Sequence, residues 1–171
     1  AQLIMAGDNI FQAKWKKRIT DALGNSGKLL TQFMPGIETL IGRQTDVPEL
    51  KGIEAQNRFN YEFTRFIKTI ADKENPLVIF LDDLQWADVS SLNLIKIITE
   101  NRDIEYLMLI GGYRNNEVGD DHPLIVKLNE LQQEQVAFEQ INLKDLSYED
   151  VYQLVAGALL TKQENTSFLT D

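Results

Sequence analysis

The chain has 171 residues, 43% of them hydrophobic, which is the size and composition of one domain with an ample core. Its net charge of −9 argues against a phosphate-neutralising basic face and so against nucleic acid as a partner. No cysteine occurs, so disulfides, thiolate metal sites and cysteine nucleophiles are excluded, and a reducing compartment fits.

No apolar run approaches the ~20 residues of a membrane span, and Ala1-Gln2-Leu3-Ile4-Met5 lacks the plan of a signal peptide. A cytoplasmic location with no membrane partner is expected. The first residue is not methionine, which suggests a segment of a longer protein. From the N-terminus, Asp8 is placed to cap a helix in which Phe11, Trp15, Ile19 and Ala22 share a face, closed by Gly24. Trp15 is expected in the core. Gly24-Asn25-Ser26-Gly27-Lys28 invites comparison with the phosphate loop G-x-x-x-x-G-K-S/T, but Ala22 stands where the first glycine is required and Leu29 where the hydroxyl is. It reads as an interhelical turn. Between Lys28 and Leu50 the pattern is broken by Pro35-Gly36, Gly42 and Pro48, giving a short helix and an irregular connection.

A long helix follows from about Ile53 to Asp72, with Phe59, Phe63, Phe66, Ile67 and Ile70 on its core face and Glu62, Arg65 and Lys68 turned toward water. Arg58 on this helix is a weak ligand-binding candidate, with a solvated or ion-paired arginine as the ordinary role. Five apolar residues, Leu77 to Leu81, then follow Pro76 and end in Asp82 and Asp83, as in a strand buried on both faces that delivers acids to the end of a sheet. A carboxylate at the carboxyl end of a parallel strand lies where open α/β sheets bind ligands, and Mg²⁺ with phosphate is a common reason for one. A strand that simply ends in an Asp turn is the plain alternative.

Asp88 is placed to cap a helix carrying Val89, Leu92, Ile95 and Ile98, a contribution of ~1 kcal/mol. A second buried strand is expected over Tyr106 to Ile110, ending in Gly111-Gly112-Tyr113-Arg114. Strand, helix, strand in this order predicts two parallel neighbours with Asp82, Asp83 and Arg114 at one edge of the sheet. The planar donor fork of Arg114 suits a phosphate oxygen, or it pairs with Glu117. His122, the sole histidine, precedes Pro123 and reads as the start of a helix with Leu124, Leu128 and Leu131 rather than as a base. A shorter strand is expected over about Val136 to Leu143, then a helix from Ser147-x-x-Asp150 with Val151, Leu154, Val155 and Ala158 buried, and a polar tail from Thr161.

The motifs Leu77-Val78-Ile79-Phe80-Leu81-Asp82-Asp83-Leu84-Gln85-Trp86-Ala87-Asp88 and Leu109-Ile110-Gly111-Gly112-Tyr113-Arg114-Asn115-Asn116-Glu117-Val118, with Glu54-Ala55-Gln56-Asn57-Arg58-Phe59 upstream, carry a resemblance. The sequence resembles the ATPase module of P-loop NTPases of the STAND or origin-recognition-like AAA kind, and is most similar to the version inside bacterial signal-transduction multikinases. The likeness runs from about Trp15 to Leu160. It implies a three-layer α/β fold, a mostly parallel sheet with flanking helices, over residues 1–160 as a partial AAA domain, with 161–171 as tail or linker. It implies that Asp82 holds Mg²⁺ through water, that Asp83 orients the water attacking the γ-phosphate of ATP, and that Arg114 is the sensor residue. Many AAA relatives carry glutamate where Asp83 stands, so slow hydrolysis is implied. No phosphate loop occurs among the 171 residues, so the module is expected to be incomplete and unable to hold nucleotide tightly by itself. Implied partners are other domains of a larger signalling protein, or a second copy of the chain. A non-catalytic scaffold or protein-interaction module that keeps the fold without nucleotide is the alternative.

Overall fold

A computed structural model describes residues 8–158, which divide into two units, one ending at Ala137 and one beginning at Phe138. In the first unit, α1 (Asn9–Leu23), α2 (Gly27–Phe33), α3 (Pro35–Ile41) and α4 (Gly52–Ile70) precede β1 (Leu77–Leu81), α5 (Val89–Glu100), β2 (Leu107–Gly111) and α6 (Pro123–Gln133). The second unit contains α7 (Tyr148–Ala158).

Local chemistry sets these boundaries. Asp8 accepts from the Phe11 amide to cap α1, and Gly24 ends it at φ 53°, a conformation that costs a glycine little. The Gly24–Ser26 segment is a single 3₁₀ turn between two helices, as its sequence predicts. Residues 28–50 are more ordered than expected: Pro35 sits in the first turn of a second short helix, where its missing N–H costs nothing, and Gly42 closes it. The apolar stripes of α1, α2, α3 and α4 meet in one core of Trp15, Ile19, Leu23, Leu30, Ile37, Leu40, Ile41, Phe66 and Ile67, joined by Ile98 from α5. Glu62 was expected in water but is 6% exposed. Its carboxylate pairs with Arg65, whose guanidinium also donates to the Ala22 carbonyl, so the ion pair ties α4 to the end of α1.

The sheet overturns the expected three-layer α/β architecture. The fold is mostly helical, and the sheet of the described residues has two parallel strands, registered from Leu77 beside Leu107 to Leu81 beside Gly111. Leu77, Ile79, Leu107 and Leu109 pack on the helical core. The opposite face is bare: Val78, Phe80 and Met108 are 57%, 62% and 58% exposed, with Ile110 beside them. The continuous apolar run of β1 therefore does not mean burial on both faces. Such a run states what a strand can bury, and here helices cover one side.

The strand expected over Val136–Leu143 is absent. The Val136 amide closes the end of α6 on the Leu131 carbonyl, and Ile141 and Leu143 are exposed. Alternation alone makes no strand without a ladder partner, and the change of phase at Ile141 removes a single face to bury. In the second unit, Ser147 and Asp150 form the anticipated reciprocal cap: the Ser147 amide donates to Asp150 Oδ2 at 3.0 Å, and the Asp150 amide to Ser147 Oγ at 3.2 Å. The proposed tail from Thr161 lies outside the described residues.

The turn into β1 is pinned electrostatically. Asp72 accepts from the Glu74 and Asn75 amides and receives the Arg18 guanidinium of α1. The Arg18 hydrogen bond, followed by those of Asn75, lowers the Asp72 carboxyl to about 2. A carboxyl whose folded-state value lies below its unfolded one, ~3.9, contributes stability that is present above that value and lost as pH falls through about 2. Thermal melts between pH 5 and pH 2 are therefore expected to fall less steeply for Arg18→Met than for the parent. Parallel curves would remove this pair from the acid sensitivity of the fold.

Candidate functional site

The site forms where β1 and β2 end side by side. The ladder continues past both strands, with the Gly112 amide donating to the Leu81 carbonyl at 2.8 Å and the Leu84 amide to the Gly112 carbonyl at 2.9 Å. The two loops are thereby drawn together, and a larger residue at either glycine would make a neighbouring side chain shift. A Cβ on Gly111 would lie 2.5 Å from Leu84 Cδ1, and one on Gly112 would lie 3.0 Å from Asp82 Oδ1.

Asp82 and Asp83 are both exposed at this edge. Asp82 Oδ1 accepts the Asp83 amide at 2.9 Å, and Asp83 adopts a left-handed backbone, φ 54° and ψ 42°. Turning the chain in this way sets Asp83 Oδ1 3.8 Å from Arg114 Nε, while Arg114 Nη1 also meets Glu117 Oε1 at 3.1 Å. The structure thus brings Asp82, Asp83 and Arg114 to one sheet edge, and Arg114 pairs both with the site acid and with its local partner. These are solvent-accessible pairs, worth ~1 kcal/mol or less each. Gln85 was not singled out from sequence. It is 6% exposed, and its Nε2 donates to Asp83 Oδ1 at 2.9 Å while its Oε1 accepts the Arg114 amide at 3.3 Å. Nothing in a glutamine two residues beyond an acid pair signals such burial.

The remaining candidates serve structural ends. Asp88 caps α5 by accepting the Ser91 amide at 2.8 Å. His122 Nδ1 accepts the Leu124 amide at 3.2 Å at the start of α6. Arg58 donates to the Pro48 carbonyl at 2.8 Å, fastening the connection before α4.

As a metal site, the edge is half built. An exposed carboxylate at a strand end suits a hydrated Mg²⁺, which keeps most of its waters and takes one or two carboxylates plus substrate phosphates. The pattern G-x-x-x-x-G-K-S/T does not occur in the 171 residues. Among the described residues no group of three or more His, Cys, Asp or Glu side chains is gathered to hold a metal without such a phosphate.

The paired parallel strands thus end in an acid pair and an arginine. Residues 1–110 match the AAA ATPase domain model, and the chain belongs to that family. It is also similar to the hybrid signal transduction histidine kinase G of Dictyostelium discoideum, 39% identical over 87 residues, which are 51% of this chain. The match spans about 2% of that protein's length. No solved structure matches the chain. Among the described residues, no helix is long and apolar enough to cross a membrane.

Proposed function

We propose that these 171 residues act as a non-catalytic regulatory and protein-interaction module, built on the AAA ATPase domain, within a multidomain signalling protein of the cytoplasm. The observation that carries this reading is the state of the strand-end edge. Asp83 and Arg114 are engaged with each other and with Gln85. The bare face of Val78, Phe80, Met108 and Ile110 supports an interaction role, because parallel sheets are ordinarily covered on both sides. The similarity to a signalling kinase supports the context. Calorimetric titration of the 171-residue chain with Mg-ATP is expected to give no saturable heat. Stoichiometric binding, or turnover of ATP by the pure chain, would overturn the non-catalytic reading.

A second reading is favoured by the convergence of Asp82, Asp83 and Arg114 at one edge. In it the module is a nucleotide switch of the STAND or origin-recognition-like kind, resembling that of bacterial multikinases, with the phosphate loop supplied from outside residues 1–171. Asp82 would hold Mg²⁺ through water, Asp83 would orient the attacking water and Arg114 would report on the γ-phosphate of ATP. Other domains of the same protein or a second copy of the chain are the partners it implies.

A further inference from the structure

We propose that Gln85 is the positioning residue of this edge, coupling the carboxylate of Asp83 to the backbone of Arg114 so that the two strand-end loops respond together. The inference rests on the second, nucleotide-switch reading, in which Asp83 and Arg114 are the working groups of the site. Its basis is the direction of two hydrogen bonds. The buried side-chain amide donates through Nε2 to Asp83 Oδ1 and accepts through Oε1 from the Arg114 N–H. A buried polar group held at both ends is costly to displace from either, because the end left behind loses its partner in a site shielded from water. Movement of the Asp83 carboxylate toward a ligand therefore draws on the bond that orders the Arg114 amide. The direct ion pair runs between exposed side chains, 3.8 Å apart, and couples them only weakly. Beside the backbone bonds of Gly112, Gln85 is the side chain that links the Asp83 carboxylate to the backbone of the second loop.

Amide hydrogen exchange followed by NMR on the full 171-residue chain tests this without nucleotide, so failure of nucleotide binding and failure of the coupling are separate results. Gln85→Leu is expected to speed exchange of the Arg114 amide by about five- to tenfold, with the strand amides of Ile79 and Leu109 unchanged. Gln85→Glu keeps an acceptor for that amide but sets a carboxylate against Asp83, so exchange is again expected to rise.

Adding Asp83→Asn to Gln85→Glu reverses donor and acceptor in the same bond and is expected to restore Arg114 protection to within about twofold of the parent. A glutamine that only fills space predicts no such rescue. Unchanged Arg114 exchange in Gln85→Leu, or no recovery in the double variant, overturns the proposal. If Gln85→Glu unfolds the chain, recovery of folding by the added Asp83→Asn supports it and continued unfolding overturns it.

Discussion

Leu30→Ala is expected to lower the unfolding free energy of the first unit by about 2–5 kcal/mol, a large share of the ~5–15 kcal/mol typical of a domain. Leu30 is completely buried where α2 meets the core shared by α1, α3 and α4, so its removal leaves a cavity lined by branched side chains. The surrounding helices pack against one another, which limits how far the site can close. A urea titration followed by circular dichroism reads the change as a lower midpoint. Ile10→Ala, at a position exposed on α1, is expected to stay within ~0.5 kcal/mol of the parent. Equal losses in the two variants would place the stabilising core elsewhere.

The second large effect belongs to the nucleotide-switch reading. In a longer chain that carries a phosphate loop and hydrolyses ATP, Asp82→Asn is expected to reduce turnover by at least about a hundredfold, the scale of losing one preorganised electrostatic contact to the reacting phosphates. The substitution keeps the side chain's shape and its acceptor for the Asp83 amide at the strand end, and removes the charge. The measurement is steady-state phosphate release at saturating Mg-ATP. Turnover equal to that of the parent would sink the assignment of Asp82, and with it the switch reading.

What could be read in advance divides along a physical line. Features fixed by a few neighbouring residues were legible: the Asp8 and Asp88 caps, the Ser147–Asp150 box, the placing of His122 before Pro123, and the core position of Trp15. So was the pairing of β1 with β2, because strand, helix, strand leaves few ways to arrange two apolar runs. Features that depend on what lies opposite were not. The run Leu77–Leu81 cannot declare whether one face or two will be covered, and Val136–Leu143 cannot declare whether a ladder partner exists. Glu62 has the spacing of a surface residue, yet it is buried because Arg65 and the end of α1 reach it. At the site, the sequence yields the acids and the arginine, while the clamp at Gln85 depends on two loops closing over it.

The left-handed backbone at Asp83 gives another account of which acid stands there. Aspartate and asparagine enter that conformation several times more readily than residues with longer side chains, since a short polar group can bond to the chain nearby. A glutamate would extend the carboxylate by one methylene but lose that conformational advantage, and valine or isoleucine would be strained. The torsion angle at position 83 therefore favours aspartate or asparagine over a residue with a longer side chain. Comparisons of activity between aspartate and glutamate at this point in the chain accordingly measure backbone geometry together with chemistry, and Asp83→Asn separates the two because it alters charge while leaving the turn intact.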